Sequence, residues 1–240
     1  MRSQVHAPES SRRDDLRKRV HIAIERIRIG RPTKSVIMVG RRGVGKTALL
    51  NLFFHETDHS QTQCVRVDAT ESRSLPSMLT PAFHLALLRM STVDAAKASA
   101  ARGLRALSSF ARGQKAKFAD IDVELDYEPE AGLADNGDLD GDLTALLIQI
   151  GAAAKAADTA LVILLDDMQY IEEAQLAALI SALHRVSQLV LPVILVGAGL
   201  PQIRGRAGNA KSYAERMFDY PEIEPVIQQT SIGVPMDALK

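Results

Sequence analysis

The run Gly40-Arg41-Arg42-Gly43-Val44-Gly45-Lys46-Thr47 has the residue types and the spacing to hold a polyphosphate. It satisfies G-x-x-x-x-G-K-[ST] at every fixed position. Glycines let the backbone curl so that successive N–H groups point inward at an anion. A helix starting at the end of the loop adds unpaired N–H groups and the positive end of its dipole. Lys46 would supply a point charge to the β- and γ-phosphates, and the Thr47 hydroxyl would face a divalent cation. With Ala48 in the first helical turn, residues 40–48 are the expected binding set. The ligands this chemistry calls for are ATP, or ADP, with Mg²⁺.

A second acidic signal lies downstream. The apolar run 161–165 ends in Asp166-Asp167. A carboxylate at the tip of a buried strand beside a phosphate loop reaches the metal shell. Asp166 is assigned to Mg²⁺ together with Thr47, and Asp167 to orienting or activating the attacking water. Asp167 is one methylene shorter than Glu, which makes binding a firmer expectation than efficient hydrolysis.

Two competing chemistries are set aside. His55-Glu56-Thr57-Asp58-His59 fits H-E-x-x-H, the zinc protease pattern. It falls at the end of a short helix, Thr57 and Asp58 are poor helix formers, and no third ligand follows. The polar end of a helix is the better reading. A guanine-specific N-K-x-D run is absent, which argues against GTP, and no acceptor site or arginine-rich lid of a small-molecule kinase is recognisable.

The elements around these residues follow from periodicity. Apolar positions Leu16, Val20, Ile24 and Ile27 recur at helical spacing over 11–29, with Ser10 or Ser11 as a cap. A β-branched strand over 35–39 leads into the loop, and a helix over 46–55 follows with Ala48, Leu49, Leu52 and Phe53 on one face. Strands are expected over 63–67, 160–165 and 192–196, the last two apolar throughout, as in a parallel sheet covered on both sides. Helices are expected over 76–90 (with Pro81 dividing it), 142–156, 171–186 and about 211–218. Residues 91–117 read as helical or mobile, 120–127 alternate apolar and acidic as an exposed strand, and 131–141 read as loop. Alternating strands and helices imply an α/β fold, a doubly wound parallel sheet with helices on both faces. The expected division is a disordered stretch over 1–10, one domain over 11–222 with a helical and acidic insertion at about 91–141, and an irregular tail over 223–240.

Bulk properties narrow the class. The 240 residues carry a formal net charge of zero, so no overall charge marks a nucleic-acid or membrane binder. The charge is uneven: Arg12, Arg13, Arg17, Lys18 and Arg19 crowd the start, whereas 119–142 contain ten acids and no Lys or Arg. These segments would be solvated faces, or would meet a partner or each other. The lone Cys64 excludes an internal disulfide and fits a reducing compartment. No apolar run reaches the length of about 20 residues that spans a bilayer, and no secretory leader is recognisable at the start. A cytoplasmic protein is expected.

Residues 40–47, 161–170 (LVILLDDMQY), 196–203 (VGAGLPQI) and 210–218 (AKSYAERMF) together resemble bacterial AAA+ ATPases of the origin-recognition-like type, close to the STAND signalling NTPases. The resemblance covers roughly 13–222. It implies a P-loop ATPase that drives or switches a protein assembly, and it implies several residue roles. Asp166-Asp167 match the second nucleotide motif. Arg216 matches the arginine finger, which would act on a neighbouring subunit's nucleotide in a homo-oligomer. Gly197, Ala198 and Gly199 stand where a polar sensor is usual, and Gln169 would supply a polar group nearby. Family members continue into a helical lid, with a second sensor arginine, and often into a DNA-binding domain; no such pattern follows Glu222 here. DNA contact would need a domain not seen in this chain. The alternative function is a nucleotide-gated interaction module that binds ATP or ADP with little turnover and acts on an unidentified protein partner.

Overall fold

The computed structural model describes residues 9–58, 62–121 and 125–225. Five strands form one parallel sheet: β1 (Ser35–Val39), β2 (Gln63–Asp68), β3 (Leu161–Asp166), β4 (Val193–Gly199) and β5 (Phe218–Asp219), in the order β2-β3-β4-β1-β5. β4 therefore separates the strand that precedes the glycine-rich loop from the strand that ends in the acid pair. Eight helices surround the sheet among the described residues: α1 (Glu9–Arg28), α2 (Lys46–Asp58), α3 (Leu75–Ser91), α4 (Lys97–Lys115), α5 (Leu139–Ala156), α6 (Glu173–Gln188), α7 (Ile203–Ala210) and α8 (Ala214–Met217).

Strand side chains alternate between two cores, as the period of two requires. Val36, Met38, Val162, Leu164, Ile194 and Val196 face α1 and α2, whose Leu16, Val20, Ile24, Leu50 and Phe53 cover them. Ile37, Val65, Ile163, Leu165 and Leu195 face the larger layer of α3 to α7. Every residue of β3 and β4 is buried, which explains their unbroken apolar runs. Because α2 leaves β1 on one face and α7 leaves β4 on the other, a crevice opens at the carboxyl ends of these neighbouring strands, the usual place for a ligand in such sheets.

Several expectations need correction. Helix α1 already includes Glu9 and Ser10, ahead of the expected cap, while residues 1–8 lie outside the described residues. Pro81 does not divide α3. The proline removes the N–H that Ser77 O would accept, and the Arg73 guanidinium donates to that carbonyl instead, at 3.1 Å. Residues 97–115 are helical, with Leu104, Leu107 and Phe110 fully buried between α3 and α5. Of the expected strand over 120–127, Asp120, Ile121 and Leu125 to Tyr127 are not strand; residues 122–124 lie outside the described residues. Ile121 is buried and Leu125 and Tyr127 pack on the core, so the alternation reflects contacts made without a sheet partner. The expected helix over 211–218 breaks at Lys211, which is extended (φ −147°, ψ 121°) and ion-pairs with Asp140 at 3.0 Å; α7 precedes the break and α8 follows it. That hydrogen bond to Asp140 raises the Lys211 pKa.

The acidic segment folds onto its own chain. Asp138 caps α5 by accepting from Gly141 N at 3.0 Å, so the helix begins at Leu139, three residues earlier than expected. Asp142 is fully buried and accepts from Gln114 Nε2 (2.6 Å), Asn136 N (2.8 Å) and Gly137 N (3.0 Å). Glu130 pairs with Arg102 and Arg105 of α4. The basic residues of α1 find other partners: Arg17 pairs with Glu56, Arg19 with Asp219, and Arg12 with Glu224.

A buried carboxylate with three donors is costly to remove, because the donors are left unsatisfied. Asp142→Ala is expected to lower unfolding stability by about 3 kcal/mol, measured as a shift of the denaturant midpoint at unchanged slope.

Candidate active site

The loop after β1 is built around positive backbone angles and one close approach. Gly43 and Gly45 have φ of +79° and +88°, which L side chains rarely adopt. At Gly40 a Cβ would lie 2.5 Å from the backbone oxygen of Ile223. The segment after β5 therefore presses on the root of the loop. Val39 N donates to Pro221 O at 2.9 Å, and Ile223 N donates to Val39 O at 2.7 Å. Ile223 is buried, so the irregular tail expected from residue 223 onward begins later; residues 226–240 lie outside the described residues. On the other side, Arg13 of α1 donates to Val44 O at 2.7 Å and to Glu224 O at 3.0 Å. Sequence reasoning missed this clamp, since Arg13 is one cation among several in a basic helix.

Lys46 opens α2, and its side chain folds back over the loop. Nζ donates to Gly40 O at 2.9 Å and Arg41 O at 2.8 Å, and the residue is only 8% exposed. Burial lowers its pKa, while the nearby carboxylates of Asp166 and Asp167 pull in the opposite direction. Asp166 is 3% exposed at the tip of β3, and its Oδ1 accepts from Asp167 N at 2.8 Å. Asp167 takes a left-handed backbone (φ 51°, ψ 40°), a conformation Asp tolerates better than most residues. The chain then makes a short 3₁₀ turn over Met168–Tyr170. Tyr170 OH accepts from Arg42 at 2.8 Å, linking this turn to the glycine-rich loop.

These groups line one cleft of about 620 Å³, within the range of small-molecule sites. Of the expected binding set, Arg42, Gly43, Gly45, Lys46, Thr47 and Ala48 line it, together with Asp167. Gly40, Arg41 and Val44 instead shape the loop: two carbonyls hold Lys46, one holds Arg13, and the Val44 side chain enters the core. Ala48, expected on the buried face of α2, is exposed to the cleft, and Leu50 is buried in its place. Asn51, Tyr170 and Leu200 also line the cleft and were not singled out by sequence. The donor set of Thr47 hydroxyl and Asp166 carboxylate is hard oxygen, which fits Mg²⁺.

Arg216 is not brought to this cleft. It lies on α8, beside Lys34 and Ser35 in a separate cavity of about 360 Å³. Phe218 pairs with Ser35, the first residue of β1, so Arg216 sits at the opposite end of the sheet from the loop. His55 is exposed on α2, Glu56 is taken by Arg17, and His59 lies outside the described residues. Among the described residues no group of three or more His, Cys, Asp or Glu is placed to hold a metal.

A parallel sheet with a lysine-bearing phosphate loop after β1, an acid-tipped β3 and a strand between them defines a P-loop nucleoside triphosphatase of the AAA+ class. Residues 11–196 match the AAA ATPase domain family, and the chain belongs to that family; it is a P-loop ATPase domain. Among solved structures it is similar to Cdc6p from Pyrobaculum aerophilum, at 15% identity and a TM-score of 0.47. That match covers 94% of this chain and 48% of the other, so the chain spans about half the length of that protein. No curated protein sequence matches the chain significantly. No described helix is long and apolar enough to cross a membrane.

The end of β4 has a steric reason for its glycines. A Cβ on Gly197 would lie 2.3 Å from Met168 Sδ, the residue buried beneath the acid turn. Gly205 of α7, by contrast, has open space around its Cα. Gly197→Ala is expected to cost about 1–3 kcal/mol through overpacking. Gly205→Ala should stabilise by about 0.5–1 kcal/mol through helix propensity. Thermal unfolding of the two variants checks the opposite signs.

Proposed function

We propose that this domain binds Mg-ATP in the cleft above β1, β4 and β3 and hydrolyses it to drive or switch a protein assembly. The observation that carries the proposal is the meeting of Lys46 with Asp166 and Asp167 across a sheet in which their strands are not neighbours. In this reading the Lys46 ammonium exchanges its two loop carbonyls for the β- and γ-phosphates. The N–H groups of the loop and of the first turn of α2 bind the same oxygens. Thr47 and Asp166 hold Mg²⁺, which neutralises charge on the phosphate oxygens when bound. Asp167 orients the attacking water. Arg216 cannot serve its own cleft from the far end of the sheet, so its part is to reach the nucleotide of a neighbouring subunit in a homo-oligomer. The location in the cytoplasm fits the single buried cysteine, Cys64.

A second reading is favoured by the length of Asp167. If the shorter carboxylate holds no productive water, the domain is a nucleotide-gated module that signals its ATP or ADP state to a protein partner. Turnover measured beside binding separates the two.

Lys46→Ala is expected to weaken ATP binding by about 100-fold or more, read by titration with a fluorescent nucleotide. Asp167→Asn should keep the affinity and lower kcat by about 100-fold. Chelation of Mg²⁺ should stop turnover. Tight binding by a wild type that has no turnover, alone or assembled, would select the second reading. Mixing Lys46→Ala subunits, which retain Arg216, with Arg216→Ala subunits should restore turnover; no restoration would remove Arg216 from the mechanism.

A further inference from the structure

Gln169 lies two residues beyond Asp167, in the turn that closes β3. Its side-chain amide is engaged at both ends. Nε2 donates to Asp167 Oδ1 at 2.8 Å, and Oε1 accepts from the Leu200 N–H at 3.1 Å. The orientation of the amide is fixed by chemistry, because an ionised carboxylate only accepts and a peptide N–H only donates. The turn itself is held from α7. Arg206 Nη1 donates to Gln169 O at 2.6 Å, and Nη2 donates to Ile171 O.

The end of β4 contributes no polar side chain, since it reads Gly197, Ala198 and Gly199, with Met168 Sδ filling the space above Gly197. Its polar contribution is the Leu200 N–H, and that group reaches Asp167 through the Gln169 amide. Asp167 combines a short side chain with a left-handed backbone, and one of its carboxylate oxygens is tethered. The other side of the turn is anchored by Tyr170 to Arg42 of the phosphate loop. The carboxylate is thereby held in one rotamer beside the cleft it lines.

We propose that Gln169 is a positioning residue for hydrolysis: its amide aims the Asp167 carboxylate at the attacking water and links it to the end of β4, with Arg206 fixing the turn. The inference rests on the assignment of Asp167 to that water. A tethered carboxylate is preorganised, so the geometry makes up for the methylene that Asp lacks relative to Glu.

The test uses the full chain, with steady-state ATP hydrolysis and equilibrium binding of Mg-ATP measured on each variant. Gln169→Met keeps the length of the side chain and loses both hydrogen bonds. It is expected to lower kcat by about tenfold or more while KM and nucleotide affinity stay within about twofold. Gln169→Glu keeps the acceptor for Leu200 and loses the donor to Asp167, and it should lower kcat at least as far. Because the amide acts through Asp167, adding Gln169→Met to Asp167→Asn should lower kcat no further than Asp167→Asn alone. A merely structural role predicts that the two losses multiply, and multiplication would overturn the proposal. So would wild-type kcat in Gln169→Met beside a slow Asp167→Asn; that pattern leaves the role of Asp167 standing. Wild-type kcat in Asp167→Asn, or a wild type without turnover, would bring down both. Should Gln169→Met fail to fold, Gln169→Glu, which has the same shape as the native side chain, decides the question.

Discussion

A lysine ammonium taken out of water needs negative charge or good acceptors close by, and the centre of this domain is arranged around that requirement. Lys46 is nearly buried, with two loop carbonyls on its ammonium and two carboxylates near enough to oppose its loss of charge. The carboxylates belong to β3 and the lysine follows β1, with β4 between them. Only a rigid sheet can keep such groups at a fixed separation. The rigidity comes from burial: β3 and β4 have no exposed residue, and each side chain is committed to one of two cores. A register slip of one residue would exchange those cores and turn the acids away from the lysine.

The periphery reinforces the same centre. The first helix and the segment after β5 are far apart in sequence, yet both end on the phosphate loop. Arg13 spans Val44 O and Glu224 O, and Ile223 presses on Gly40. Arg12 and Arg19 join the same two regions by ion pairs at the surface, where each pair adds at most about 1 kcal/mol. The geometric effect of these contacts matters more than their energy. Movement of the segment beyond β5 is transmitted to the root of the loop through backbone hydrogen bonds. On the opposite side, α7 reaches the acid turn through Arg206. The cleft is thus held by elements from both faces of the sheet.

Much of this was legible in the chain. The strand, loop and helix over residues 35–58 follow from a β-branched run, a complete glycine-lysine pattern and an apolar stripe, each a local signal. The acid pair was readable because a fully apolar run that ends in two carboxylates sets them at the tip of a buried strand. The basic helix and the acidic segment were visible as charge, but their partners were not: the acids are satisfied by α4, Gln114 and Lys211, and the basic helix by Glu56, Asp219 and Glu224. Alternation over 120–127 suggested a strand because period two is also what an irregular segment shows when it lays alternate side chains on a core. Pro81 suggested a break because the guanidinium of Arg73, which takes over the freed carbonyl, cannot be foreseen from local pattern.

By itself the sequence determined the chemistry on offer: a phosphate-binding backbone with its lysine and hydroxyl, two carboxylates at a strand tip, and enough apolar periodicity for a doubly wound sheet. These properties reside in residue types and short spacings, which act over one or two turns of chain. The tertiary structure decided which groups meet. It placed β4 between loop and acids, put Arg216 at the far end of the sheet, and turned Ala48 toward the cleft and Val44 away from it. It also brought Arg13, Gln169 and Arg206 into contact with the machinery. Each of these outcomes depends on packing between segments tens to hundreds of residues apart, where burial and hydrogen-bond satisfaction across the whole domain select the arrangement.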